Sequence, residues 1–274
     1  MSVHDMKASG GIGLHENIAD DARESPLVTV ITAVFNGAGT IENCIESVLG
    51  QDYPHIEHII IDGGSTDGTI DVLRQYEGRI ARWISEPDSG VYDAWNKGVQ
   101  LAHGEWVAFL SADDTFLPGA VRAYMELSVK NPDAEFLSSV VRLEHHGGYT
   151  RLFGESWQWL RFSKFMCTAH PGSMHKKSLF THYGLYDTSY KITADYELLL
   201  RAGAALRAAF MPTTTVAMKA GGMSDSFRAL REARRARVET GRRSPRRAAL
   251  ELRLAMLKRM ARKLLLSLRT QLPI

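Results

Sequence analysis

The sequence predicts an α/β fold: a single mixed, mostly parallel sheet flanked by helices, with a basic helical extension at its C-terminal end. Three observations lead there. Short β-branched apolar runs alternate with helical stripes between residues 27 and 144, the pattern of strands joined by crossover helices. Those runs end in Asn, Asp, Ser and Gly, the chemistry of turns. The net charge of +2 also hides a division: residues 228–274 carry 15 Lys/Arg against 3 acidic residues (net +12), the remainder 18 against 28 (net −10).

A chain of 274 residues with 45% apolar and 23% charged content suits one sizeable domain with an appendage. Residues 1–25 have no basic start, no apolar core and no periodicity; they read as disordered, and not as a signal peptide. Residues 26–224 make the domain and 225–274 a basic amphipathic helical tail. No run of about 18 apolar residues occurs, so no spanning helix is expected. Cys44 and Cys167 have no paired or metal-ligand spacing, which points to free thiols in a reducing compartment.

In chain order, LVTVITAVFN (27–36) is a buried strand ending in turn residues, as a near-continuous β-branched run implies. GTIENCIESVLGQ places Ile41, Ile45, Val48 and Leu49 on one helical stripe. HIEHIIIDGGSTDGT is a second strand running into a turn, TIDVLRQYE a helix, and IARWISEPDSG a short strand with a loop. YDAWNKGVQLAHG is helical with Gly104 as its stop. EWVAFLSADD is a third apolar strand, LPGAVRAYMELSVKNP a helix, and AEFLSSVVRLE a strand. In parallel sheets ligands bind beyond the C-terminal strand ends, so Asn36, Asp62 and the Asp113–Asp114 pair gather on one rim.

Each motif has a structural and a functional reading. DGGSTDGT is a tight turn with Ser65 or Asp67 capping the next helix, or it presents Asp62 to a ligand amide or hydroxyl. It is neither GxGxxG nor a Walker sequence. In SEPDSGVYDAWNKG, Asp88 and Asp93 could decorate a helix start, and Lys97 could be a solvated charge. Two carboxylates at the end of SADD are costly to bury unpaired. A divalent cation removes the conflict, since Mg²⁺ takes one or two carboxylates with phosphates and water completing its shell. In DYELLLRAG, Asp195 is either a helix-start carboxylate or a general base.

Taken together, VTVITAVFN, IDGGSTDGT, SEPDSGVYDAWNKG, GEWVAFLSADD, HPGSMHKKSLF and ADYELLLRAG, in this order and spacing from Pro26 to Gly222, resemble family 2 nucleotide-sugar glycosyltransferases of the Rossmann-like GT-A fold. The nearest resemblance is to bacterial enzymes that assemble colanic acid, lipopolysaccharide O-chains and other surface polysaccharides. It implies that Ala33, Phe35 and Asp62 line the nucleobase pocket and that Asp88 and the helix carrying Asn96 shape the nucleotide site. Asp113 would contact the ribose, Asp114 would bind the Mg²⁺ or Mn²⁺ holding the donor diphosphate, and Asp195 would be the base of an inverting enzyme. The donor expected from the family is a UDP-sugar, and the acceptor a glycan or lipid-linked hydroxyl.

The chain departs from that pattern in places. Many members carry two acids where this one has Asp62-Gly63, and the acid often preceding the catalytic Asp is Ala194. That leaves Asp195 as the base, with Glu197 structural or acceptor-facing. QWLRF (158–162) is similar to the QxxRW motif of processive synthases but precedes Asp195, and we read it as coincidental. Two alternatives are a non-catalytic nucleotide-sugar-binding relative, against which Asp114 and Asp195 both stand, and a nucleotidyltransferase. The latter usually opens with a basic Gly-rich loop, and FNGAGTIENC has no Lys or Arg.

In the tail, Ser244-Pro245 starts a helix whose Leu250, Leu254, Leu257, Ala261, Leu264 and Leu268 form one stripe among Lys and Arg. Packing on the domain, an oligomer contact and a membrane-surface helix all fit that pattern. The membrane reading is favoured, because a basic amphipathic helix suits anionic headgroups. It places the protein in the cytoplasm, peripheral at the inner face of the membrane. Nucleic acid is not an expected partner, because the acidic body opposes it.

Overall fold

The computed structural model describes residues 8–13, 25–145 and 148–269. In chain order its elements are β1 (Ala8–Gly10), β2 (Val28–Val34), α1 (Ile41–Leu49), β3 (Ile56–Asp62), α2 (Thr69–Gln75), β4 (Arg82–Ser85), α3 (Val91–Leu101) and β5 (Trp106–Ser111). There follow β6 (Thr115–Phe116), α4 (Ala120–Lys130), β7 (Phe136–Glu144), β8 (Thr150–Phe153), α5 (Trp159–Phe162), β9 (Ser173–Lys176) and α6 (Lys177–Tyr183). The chain closes with α7 (Ala194–Ala202), β10 (Ala208–Lys219), α8 (Phe227–Glu239) and α9 (Pro245–Arg269).

One mixed sheet runs β1-β4-β3-β2-β5-β9-β7-β10-β6, with β8 added to β7. Its long pairings, β2 with β3 and β5 and β7 with β10, are parallel. The order reverses at β2, whose neighbours are β3 on one side and β5 on the other, and a ligand crevice opens at such a point. The unbroken apolar runs are explained by burial on both faces. In β5, Trp106, Ala108 and Leu110 join the core on one face, while Val107 and Phe109 join the core on the other.

The structure adds elements that periodicity does not reveal. Within the segment read as disordered, Ala8–Gly10 pairs antiparallel with β4; main-chain hydrogen bonds need no apolar pattern. Residues 1–7 and 14–24 of that segment lie outside the described residues. β9 is inserted antiparallel between β5 and β7, and β10, interrupted by register shifts between Phe210 and Val216, alternates too irregularly to be legible. Gly104 is no helix stop: α3 ends at Leu101. A Cβ at Gly104 would lie 2.5 Å from Thr29 N, so the glycine permits close backbone approach.

The tail divides differently from the expected boundary at residue 225. α8 is built into the domain, with Ala236 fully buried in the same core cluster as Leu198 and Leu199 of α7. α9 begins at Pro245 as expected and packs on α8, with Ala248 fully buried. Its Glu251 pairs with Arg237, 3.4 Å away, and with Arg243. Leu250, Leu254, Leu257 and Met260 point outward, each about half exposed or more. The side chains of Ala261, Leu264 and Leu268 lie outside those described.

Candidate active site

The rim at the ends of β2, β3 and β4 is built from interlocked turns. Asn36 adopts φ 51°, a left-handed conformation that Asn tolerates. Its N–H donates to Ser65 Oγ at 2.7 Å, and its side-chain oxygen accepts Thr66 N–H at 2.9 Å. Asp67 accepts Ala38 N–H and Thr69 N–H, which joins the loop after β2 to the loop after β3.

Asp62 is fully buried and supports these loops from behind. Its Oδ2 accepts Gly64 N–H (3.0 Å), Ser65 N–H (2.9 Å) and the Ser85 hydroxyl (2.6 Å), and its Oδ1 accepts the Ser65 hydroxyl. Both oxygens are engaged within the protein. Asp62 therefore organises the turn.

Phe35, Gly63 and Asp88 converge at the rim. Phe35 is 65% exposed. A Cβ on Gly63 would lie 2.6 Å from Asp88 Oδ2 and 3.4 Å from the Phe35 ring, so a side chain here would push Asp88 aside. Asp88 Oδ1 accepts Gly90 N–H at 2.8 Å. Lys97 holds the segment below through Glu86 (2.9 Å) and the Pro87 carbonyl (3.1 Å), so it is not a free surface charge. Ala33 lies half-buried beneath on β2. The Asn96 side-chain amide donates to Tyr186 O at 2.9 Å and accepts Tyr186 N–H at 3.0 Å. That spends the side chain on clamping the connection between α6 and α7.

At the end of β5 the paired carboxylates part. Asp113 is exposed, and Asp114 is buried with its Oδ1 accepting Lys219 N–H at 3.0 Å. Burial first, and the neighbouring Asp113 charge second, push the Asp114 carboxyl up to about 7. Among the described residues no cluster of three or more His, Cys, Asp or Glu side chains stands together, so a hard divalent cation here would rest on this pair alone. One carboxylate faces outward, the second is held against its repulsion, and the remaining ligands of such an ion are phosphate and water. Asp113 takes the outward position and Asp114 the buried one.

Asp195 sits at the start of α7 beside the N-terminal end of α3. Tyr92 of α3 shares its hydroxyl proton between Asp195 Oδ1 (2.9 Å) and Ile192 O (2.8 Å). Burial raises the Asp195 carboxyl to about 6, against the Tyr92 bond and the backbone N–H groups of Tyr196 and Asp195, which lower it. Lys191 Nζ reaches Ser89 O at 3.0 Å, so the Asp195 loop joins the same rim as Asp88. Glu197 is structural: buried, it bonds Arg201 and the Thr240 hydroxyl. Arg161 of QWLRF pairs with Glu155 on the surface.

Sequence reasoning missed Tyr92, Tyr186, Ser65, Ser85 and Glu232. Tyr92 and Tyr186 carry no local signature, and their rings meet only in the fold, 5.4 Å apart. Ser65 reads as a candidate helix cap, and no motif marks Ser85 or Glu232 for a role.

A family model described as Glycosyl transferase family 2 matches residues 29–180, more than half of the chain, and stops short of Asp195. An uncharacterised glycosyltransferase of Mycobacterium tuberculosis is 38% identical over 185 residues, covering 65% of this chain and 69% of the relative. The putative teichuronic acid biosynthesis glycosyltransferase TuaG of Bacillus subtilis is 43% identical over 108 residues, covering 38% of this chain and 43% of that protein. Among solved structures, mannosyltransferase PcManGT from Pyrobaculum calidifontis in complex with GDP-Man and Mn²⁺ superposes with a TM-score of 0.64 at 19% identity, covering 91% of this chain and 77% of that one. At that identity the likeness concerns the fold, the GT-A arrangement.

Proposed function

The chain belongs to glycosyl transferase family 2 and is a glycosyltransferase; on that premise we propose an inverting transferase that moves a sugar from a nucleoside-diphosphate sugar to a hydroxyl of a glycan or lipid-linked acceptor. The observation that carries this reading is Asp195, a carboxyl raised to about 6 by burial and held by Tyr92, in a loop that Lys191 ties to Ser89 beside Asp88. A base works best with a pKa near the operating pH, and such a group typically contributes about 10²–10⁴-fold.

Phe35 offers an exposed ring on which a nucleobase can stack, with Asp88 across Gly63 to accept from its edge. Asp195 takes the proton of the acceptor hydroxyl as that oxygen attacks the anomeric carbon from the face opposite the leaving group. A Mg²⁺ or Mn²⁺ held by Asp113, with Asp114 behind it, would supply Lewis-acid stabilisation of the nucleoside diphosphate. The test is a thermal-shift panel of UDP- and GDP-sugars with and without Mn²⁺, repeated on Asp195→Asn. Donor binding is expected to survive and transfer to be lost. Normal turnover in that variant removes Asp195 from the mechanism.

Among the described residues no helix is long and apolar enough to cross a membrane. The outward face of α9 supports a surface contact instead. Leu250, Leu254, Leu257 and Met260 are exposed beside exposed Arg246, Arg247, Arg253 and Lys258, which suits an anionic lipid interface. Each basic residue near such a surface is worth about 1 kcal/mol. Because α8 belongs to the domain, the test keeps the chain whole: Leu254→Asp with Leu257→Asp should abolish co-sedimentation with phosphatidylglycerol vesicles. Undiminished binding refutes the contact.

A further inference from the structure

We propose that Glu232 is a positioning residue for sugar transfer, and that α8, the helix sequence reasoning assigns to the tail, is the splint of the catalytic loop. The inference rests on the reading of Asp195 as the base.

The loop from Ser189 to Thr193 leads directly into α7 and sets where Asp195 stands. Its N-cap residue Thr193 makes no side-chain capping bond. The three successive backbone N–H groups of Lys191, Ile192 and Thr193 converge instead on one carboxylate. Glu232 Oε1 accepts from Lys191 at 3.0 Å, and Oε2 accepts from Ile192 at 2.6 Å and Thr193 at 2.9 Å. The Thr193 hydroxyl adds a bond at 3.3 Å. Successive N–H groups of this kind form a concavity that binds anions, and here a side chain some forty residues away fills it. A charged acceptor makes such bonds stronger than a neutral one.

The grip extends one turn further along α8. Arg235 donates to the Ser189 hydroxyl at 3.1 Å and stacks over the Tyr190 ring at 4.2 Å. Glu239 accepts the Tyr190 hydroxyl at 3.1 Å. The whole loop is therefore held by one helix face, which is itself anchored through buried Ala229, Ala236 and Arg237. Tyr92 then fixes the other side of the base through Ile192 O and Asp195 Oδ1. A displacement of about 1 Å at such a group can cost on the order of 10²-fold in rate.

The groups facing Asp195 are Tyr92 from α3, Tyr186 from the connection before α7, and Glu232 from α8. Glu232 is the only acid among them. Burial is the main cause of the raised Asp195 value and the Glu232 charge the smallest, so removing that charge should move the Asp195 titration only slightly down from about 6.

The experiment compares the full chain with Glu232→Gln, Glu232→Ala and Asp195→Asn. Carboxyl ¹³C NMR titration follows Asp195, assigned by its loss in Asp195→Asn. Release of nucleoside diphosphate from UDP-glucose, UDP-GlcNAc or GDP-mannose with Mn²⁺ gives kcat and donor KM. In Glu232→Ala we expect a slightly lower Asp195 midpoint and kcat reduced about 10- to 100-fold, with donor KM within about twofold. Glu232→Gln keeps one acceptor oxygen and should recover part of kcat while still shifting the midpoint; it decides the matter if the alanine variant does not fold. An unmoved midpoint and unchanged kcat in a folded variant overturn the proposal while Asp195→Asn is inactive. Full turnover in Asp195→Asn overturns the base reading and this inference with it.

Discussion

Asp62→Asn separates a residue that touches ligand from one that builds the loop beneath it. The buried carboxylate accepts four hydrogen bonds, three of them on Oδ2. Asparagine keeps the shape and can leave its oxygen at the Oδ2 position, retaining three partners as neutral bonds. Its NH₂ then faces Ser65 Oγ, which already accepts Asn36 N–H, and the Ser65 hydroxyl loses its acceptor. Bonds to charged groups are worth about 1.5–3 kcal/mol against about 0.5–1.5 for neutral ones, and an orphaned buried donor costs about 1–3. Allowing for partial relaxation, the variant should lose about 3 kcal/mol. At roughly 2–4 °C per kcal/mol for a chain of this size, Tm should fall by roughly 6–12 °C in differential scanning calorimetry without nucleotide. A Tm unchanged within about 2 °C, with nucleotide affinity abolished, would mean that Asp62 meets the ligand directly and would refute the reasoning.

Three other variants and one profile test the remaining arguments. Asp195 must be ionised to accept a proton, and its carboxyl is raised to about 6, so kcat should drop about tenfold per unit as pH falls below that value; an acid limb near pH 4 would exclude it. Asp113→Asn should remove the Mn²⁺-dependent nucleotide stabilisation seen in thermal shift while sparing the unliganded Tm. Asp114→Asn, which keeps an acceptor for Lys219 N–H and relieves repulsion, should leave the unliganded Tm unchanged or higher; loss of the Mn²⁺ effect in this variant alone would restore it as the outward ligand. Gly98→Ala would place a Cβ 2.4 Å from Ile31 Cγ2, on a fully buried side chain with no room to move. Overpacking costs about 1–3 kcal/mol, and the gain in helix propensity returns about 1, so urea unfolding should show a net loss of about 0–2 kcal/mol; a higher midpoint would contradict the packing.

Much of the architecture is legible locally. The runs at β2, β3, β5 and β7 are largely apolar and bounded by turn residues, and a strand buried on both faces has few other ways to be written. The residues that end those runs had to lie on one rim, because parallel strands point the same way. β9 and β10 escaped because a short antiparallel insertion and an irregular strand lack a period, and β1 because backbone pairing with β4 leaves no mark on side-chain composition. In the tail, the helices and their start at Pro245 were readable, but the inclusion of α8 in the domain was not. Its buried face consists of Ala229, Ala236 and Arg237, too slight a stripe to stand out among arginines.

Legible from the sequence alone were the family, the α/β alternation and the rim on which Asn36, Asp62 and the Asp113–Asp114 pair stand. Strand period and turn chemistry are short-range properties, written within a few residues of where they act. How the layers pack sets which way the key side chains turn: Asp62 inward to the serines, Asn96 onto the Tyr186 backbone, Asp114 beneath Asp113, and Glu232 into the loop before Asp195. Those choices are set by hydrogen-bond partners that are, for the most part, tens of residues apart in sequence. A buried polar group must find such a partner, and which one it finds depends on how the layers pack.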